Sequence, residues 1–368
     1  MAKAQDGDAK PREIRYSELL KGQQVPGGAD DEHREVGNLR MRDLPVSRGA
    51  EAAGVPPDLE GERLLTVLEQ ERESFSRLYD ELYQYVSKVL NSVEKEEPFP
   101  IDEAFRLIGQ LVGTPRALNT LIYRGIESPA SKGFLVTHAI NVAVFALKIA
   151  VGLRYDEARL SEVGVAALLH DVGMATLPKE IVFAPRKLTA QEFAVVRTHT
   201  RRGRDIILAQ GEKYRWLAEV IDQTHEREGG SGYGGLKGQE VHEYAKIIGL
   251  ADVYEAMTHQ RPHKKAIIPF YTVKQILEMR RGLFSDRLIK ALVRQLTVFP
   301  LYSYVKLNTG VIGQVVDTSE EHPMKPTVVI KYDAKGEPLS KPKVIKLIEF
   351  PLLYIVSSVE IGQEVSAR

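Results

Sequence analysis

Residues 160–173 read LSEVGVAALLHDVG. Apolar residues recur there at steps of three and four, the spacing of one helix face. The run closes on His170 and Asp171, and Gly173 follows two residues later. Such a doublet is either a helix end carrying two polar residues or the middle of a metal site. The sequence on both sides bears on the choice.

The same spacing dominates "THAINVAVFALKIAVGL", "AQEFAVVRTHTRRGRDIILA", "WLAEVIDQTHE" and "YAKIIGLADVYEAMTH". Residues 99–300 therefore read as helical throughout, a mainly α bundle. Thr189 followed by Glu192 predicts a capping box at the start of the "AQEF" helix. After Phe299-Pro300 the period switches to two. "SYVKLNTGVIGQVVD" reads as strand, Asn-Thr-Gly turn, strand, and "TVVIKYDAKGEPL" as a further strand and an Asp-Ala-Lys-Gly turn. Residues 301–368 are thus expected to form a small β-barrel or sheet. Upstream, residues 1–58 are polar and rich in Gly, Pro and Asp, with weak periodicity, and "GVPPDLEG" reads as a linker. Residues 59–98 carry one long amphipathic helix, with Leu68, Phe75, Leu78, Leu82, Val86, Val89 and Val93 on its stripe and "EEPFP" at its end. It either packs on its own domain or pairs with a second copy, and a homodimer is the expectation.

Composition removes several classes. The chain has 368 residues, with 50 Lys and Arg against 50 Asp and Glu. Zero net charge argues against a protein built to coat a nucleic acid polymer. The absence of cysteine rules out disulfides, thiolate zinc sites and cysteine nucleophiles. The N-terminal MAKAQDGDAK has no apolar signal-peptide core. "AINVAVFALKIAVGL" is interrupted by Asn141 and Lys148 and is too short and polar to span a bilayer. A cytoplasmic protein is expected.

Four of the nine histidines fall in or at the ends of helices in the central block: His138, His170, His199 and His225. Asp171 adjoins one of them. Asp252 lies among Ile248, Leu250 and Val253, on a helix that should be mostly buried, and a buried carboxylate needs a cation or strong donors. A lone helical histidine is commonly a hydrogen-bonded core residue. Several, with two carboxylates, in one helical block suggest a shared centre. Imidazole nitrogen plus carboxylate oxygen suits iron, manganese, zinc, nickel or cobalt, and suits calcium poorly. One carboxylate can bridge two such ions, which together activate water and clamp a phosphoryl group. The segment "THEREGGSGYGGLKG", residues 224–238, holds six glycines directly after His225. It reads either as a flexible surface loop or as a loop standing over the same site, since glycine lets backbone approach a ligand closely.

The order His138, His170-Asp171, His199, His225-Glu226, Gly-Tyr233, Asp252, Arg261-Pro262 resembles the HD-GYP family of metal-dependent phosphohydrolases. The match is close over residues 130–268, and "KLTAQEF", "GLKGQEVHEYAKIIGLADVYEAMTHQRP" and "FPLYSYVKLNTG" extend it. The resemblance implies an HD-type helical bundle. It also implies two divalent metal ions, iron or manganese by preference, with zinc, nickel or cobalt as alternatives. His138, His170, Asp171 and Asp252 would surround one ion, and Asp171 would bridge to His199 and His225 around the other. Arg261 and Lys264 would hold nucleotide phosphate, and Tyr233 would pack on or bond to a nucleotide. This chain departs from the family pattern at Thr224, where a histidine is usual, at Met174 for lysine, and at Gly229 and Gly234 for aspartate and proline. Phe134 stands where some relatives carry a glutamate for a third ion, so a third ion is not expected.

The function so implied is hydrolysis of a cyclic dinucleotide, cyclic di-GMP first, by in-line attack of activated water on phosphorus, with Asp171 as the catalytic bridging carboxylate. Two rivals stand beside it. One is a catalytically weak or inactive module that binds metal and nucleotide for signalling. The other is an HD phosphohydrolase acting on a different phosphoester.

Overall fold

The computed structural model describes residues 57–114, 117–118, 121, 133–258, 275–276, 282–295, 299, 301–318, 322 and 324–359. Expectations for residues 1–56, and those for Arg261 and Lys264, fall outside the described residues. Among these, the helices are α1 Pro57–Glu94, α2 Ile101–Val112, α3 Phe134–Gly152, α4 Glu157–Leu169, α5 Ala190–Arg197, α6 His199–Ala209, α7 Arg215–Asp222, α8 Glu243–Thr258 and α9 Asp286–Gln295. A 3-10 turn, Val172–Thr176, follows α4, and a one-turn helix spans Lys179–Val182.

Helix α3 is the hub. Every residue from His138 to Ala150 is buried, as expected of a helix that is apolar all round and surrounded by others. It packs on α4, α8, α9 and α1. At 19 residues it is longer than the apolar run read from sequence, and it meets the length and hydropathy of a membrane span. Burial by its neighbours is that of a core helix.

Helix α1 runs for 38 residues. Its stripe of Phe75, Tyr79, Leu82, Val86, Val89 and Val93 is buried, against α2, α3 and the 3-10 turn. The sequence leaves this stripe open to a second copy. The structure covers it, from Phe75 onward, with its own chain, because the turn after Asp171 and the start of α3 present matching apolar surface. The helix also packs on strand β4.

The helix expected over "AQEFAVVRTHTRRGRDIILA" is split at Thr198 into α5 and α6. The cause is local. Thr198 Oγ1 donates to Val195 O at 2.7 Å, and His199 Nδ1 lies 2.7 Å from Val196 O. Both side chains take carbonyls that a continuous helix would use for its own ladder. The capping box at Thr189 forms as read: Glu192 N donates to Thr189 Oγ1 at 3.2 Å and Thr189 N to Glu192 Oε2 at 2.8 Å.

The C-terminal region is an antiparallel sheet, β1 Tyr304–Leu307, β2 Ile312–Asp317, β3 Thr327–Tyr332, β4 Pro338–Lys346 and β5 Ile355–Val359. The order is β4-β3-β2-β1-β5. Of the two forms left open by sequence, the sheet is observed and the closed barrel is not, since β4 and β5 lie at opposite edges. Both expected turns are present, and Gly310 and Gly336 take φ of 88° and 83° there.

Candidate metal centre

Each candidate ligand is placed by a distinct piece of backbone. His138 lies in the second turn of α3, His170 ends α4, and Asp171 opens the 3-10 turn. His199 starts α6, His225 follows α7, and Asp252 lies in the middle of α8. Gly173 permits the arrangement. A Cβ there would collide with the His199 carbonyl and lie 2.7 Å from Gly203 N. The turn carrying His170 and Asp171 therefore seats against the helix carrying His199 only with glycine at 173.

The six side chains converge. Asp171 Oδ1 lies 3.1 Å from His199 Nε2, 3.4 Å from His170 Nε2 and 3.9 Å from His225 Nε2. Asp171 Oδ2 is 3.6 Å from His138 Nε2. Asp252 reaches both sides, with Oδ1 3.4 Å from His138 Nε2 and Oδ2 3.8 Å from His225 Nδ1. His138, His170 and His199 are buried.

Three of the four histidines are oriented through Nδ1. His138 Nδ1 lies 2.8 Å from Glu255 Oε2, His170 Nδ1 2.8 Å from Ala167 O, and His199 Nδ1 2.7 Å from Val196 O. Such contacts on the far nitrogen fix the tautomer and aim Nε2 inward. Glu255 is itself buried, and its other oxygen is 3.5 Å from Asn141 Nδ2. Sequence reasoning missed it, although a second carboxylate three residues after Asp252 in an apolar helix was a usable signal.

Electrostatics follow the geometry. Burial opposes charge on His138, but Glu255, then Asp252 and Asp171, push its pKa up to about 9. Burial likewise opposes charge on Asp171, and His170 and His199 outweigh it, holding the carboxyl well below the usual range. The His199 pKa is raised, Asp171 prevailing over burial. That of His225 is lowered, chiefly by burial.

A cation fits this set. His170 Nε2, Asp171 Oδ1, His199 Nε2 and His225 Nε2 are buried without a hydrogen-bond partner. Leaving such atoms unpaired costs about 1–3 kcal/mol each, and coordination would satisfy all four. Two groups of ligand atoms lie close enough to hold an ion: His138, His170 and Asp171, and Asp171, His199 and His225. Asp171 belongs to both.

The glycine-rich segment is built around Glu226, which the sequence places in the His225-Glu226 pair without showing its role. Glu226 is buried and accepts backbone N–H bonds from Gly234, from Gly235 at 3.0 Å and from Leu236 at 3.0 Å. Gly232 packs so closely on it that a Cβ would lie 2.6 Å from Glu226 Oε2. The loop is pinned over the site. Tyr233 at its tip lies parallel to the His225 ring, with centroids 4.8 Å and planes 19° apart. The ring expected to meet a nucleotide therefore rests on a candidate ligand. Thr224 is buried and its hydroxyl donates to Ile221 O at 3.0 Å. The Phe134 ring stacks on His138 at 5.8 Å.

Comparison with known proteins bears on this geometry. Residues 127–288 match the HD domain, and residues 304–366 match the KOW domain associated with HD domain. A cyclic di-GMP phosphodiesterase of Pseudomonas aeruginosa is 28% identical over 224 residues, 61% of this chain and 53% of that protein. A cyclic di-GMP phosphodiesterase response regulator of Xanthomonas campestris is 29% identical, over 62% of this chain and 56% of that protein. This chain carries an HD domain. A cyclic di-GMP phosphodiesterase of Thermotoga maritima is 31% identical over 159 residues, 43% of each chain. The chain spans about half the length of the curated relatives it matches. Within this HD domain the His-Asp doublet is the meeting point of all six candidate ligands, and the glycine-rich loop stands beside it.

Proposed function

We propose that the protein is a metal-dependent phosphodiesterase that hydrolyses a cyclic dinucleotide, with cyclic di-GMP the first substrate to test. The observation that carries this reading is Asp171 Oδ1, buried and unpaired among three inward-facing histidine nitrogens. Relatives named as cyclic di-GMP phosphodiesterases support the substrate class. His138, His170, Asp171 and Asp252 would hold one divalent ion, and Asp171, His199 and His225 a second. Iron or manganese suits this donor set first. Ions so held supply activation of water and compensation of charge at phosphorus. The chain's own part is to keep Asp171 ionised, to present imidazole lone pairs inward, and to cover the centre with Tyr233. Arg261 and Lys264 keep the phosphate-holding role implied by the resemblance. The test is incubation of manganese- or iron-loaded protein with cyclic di-GMP, following linear dinucleotide by chromatography. Linear product that disappears in Asp171→Ala supports the reading; no product from cyclic di-GMP or cyclic GMP-AMP overturns it.

One observation favours a second reading. The Thr224 hydroxyl is turned to Ile221 O, so the second group has one imidazole fewer than the family pattern. A module that binds metal and nucleotide without turnover would give saturable binding and no linear product.

A further inference from the structure

His225 differs from the other three histidines of the centre. Their Nδ1 atoms lie 2.7–2.8 Å from an acceptor. The Nδ1 of His225 is 3.8 Å from Asp252 Oδ2, and its Nε2 is 3.9 Å from Asp171 Oδ1, both beyond a hydrogen bond. Its neighbour Thr224 offers no support from that side, since the hydroxyl is committed to Ile221 O. The ring is held by contact instead. Tyr233 lies flat on it, and the His199 ring meets it edge-on at 4.9 Å.

Tyr233 is in turn held by Arg197, the last residue of α5. Arg197 Nη2 donates to Tyr233 O at 2.7 Å, and its guanidinium carbon lies 4.9 Å from the centroid of the Tyr233 ring. One side chain thus fixes both backbone and ring of the residue that lies on His225. A guanidinium over an aromatic face is attracted by the ring quadrupole, and its planar fork donates at the same time. Phe193, one turn back on α5, meets the Tyr233 ring edge-on at 6.3 Å. Arg197 also precedes His199 by two residues, so the same helix junction sets the position of both imidazoles in the second group.

We propose that Arg197 is a positioning residue for the second metal site: it clamps Tyr233 against His225, and this stack replaces the ring-nitrogen hydrogen bond that orients the other three histidines. The inference rests on the two-metal reading above. It assigns Tyr233 a role through its ring face and backbone carbonyl rather than its hydroxyl.

Calorimetric titration of the metal-free full-length protein with Mn2+ tests it without substrate. Wild type should show two binding events, and His199→Ala identifies the second by abolishing it. Arg197→Ala should weaken the second event about 10–100-fold, the usual effect of losing a group that orients a ligand, and leave the first within a factor of two. Arg197→Lys, which keeps a donor for the carbonyl, should recover part of the loss. Tyr233→Phe should match wild type, and Tyr233→Leu should match Arg197→Ala. The double variant Arg197→Ala/Tyr233→Leu should be no worse than either single one, since both remove the same clamp. Equal weakening of both events in Arg197→Ala would mark a merely structural role and overturn the inference. So would an unchanged second event, a Tyr233→Phe as weak as Tyr233→Leu, or a wild type that binds one ion. Two ions bound in this pattern with no hydrolysis would sink the enzyme assignment and leave the role of Arg197 standing.

Discussion

Glu255 Oε2 lies 2.8 Å from His138 Nδ1, and both side chains are buried. The pair ties α8 to α3 beneath the centre and directs His138 Nε2 toward Asp171 and Asp252. Glu255→Gln should weaken metal binding by about 10–100-fold, because the contact sets the tautomer and basicity of the ring. Calorimetric titration with Mn2+ checks it, and unchanged affinity would remove Glu255 from the centre.

The same pair gives a pH dependence in the metal-free protein. The folded pKa of His138, about 9, is above its ordinary value of 6.5. A group whose pKa is raised on folding stabilises fully below the unfolded value and loses that contribution as pH rises through the folded one. The difference in Tm between wild type and Glu255→Gln should be largest below pH 6.5 and shrink as pH passes about 9. A difference that grows with pH would contradict the assignment.

Asp171 is shared by both ligand groups. Asp171→Ala should remove both ions, whereas His199→Ala should remove one. Elemental analysis after gel filtration distinguishes them. Metal content unchanged in Asp171→Ala would refute the bridging role.

A Cβ at Gly173 has backbone on two sides, the His199 carbonyl and Gly203 N. Backbone cannot yield as a flexible side chain can, so Gly173→Ala should cost about 1–3 kcal/mol, as overpacking does, and separate His170 and Asp171 from His199. Urea unfolding and metal content should fall together. Retained stability and metal would show that the turn has another way to seat.

Thr224 donates its hydroxyl to Ile221 O, away from ligand duty. Thr224→Val should therefore leave metal stoichiometry intact and cost about 0.5–1.5 kcal/mol for the lost hydrogen bond. Loss of an ion in that variant would make threonine a ligand after all.

The sequence by itself determined the classes of element and singled out six candidate ligands. Periods of 3.6 and 2 are imposed by backbone geometry, so the helical block, the turns at Gly310 and Gly336 and the cap at Thr189 were legible as local patterns. His138, His170, Asp171, His199, His225 and Asp252 were legible because polar residues in apolar helices need partners. Other features depended on contacts between segments far apart in the chain, which no local period encodes. The apolar stripe of α1 looked available to a second copy, and only the fold shows that from Phe75 onward the turn after Asp171 and α3 pack against it. The helix over 190–209 looked continuous until the side chains of Thr198 and His199 took its carbonyls. Arg197 looks like an ordinary surface residue in the sequence, and neither the apolar helix around Glu255 nor the motif that includes Glu226 shows what those carboxylates hold. Their roles arise only where folding buries a carboxylate beside His138, wraps three backbone N–H groups around Glu226, and lays a guanidinium over Tyr233. A local pattern selects which residues can form a helix or bind a metal. Tertiary packing decides which of their atoms are desolvated together, and that sets tautomer, charge and position.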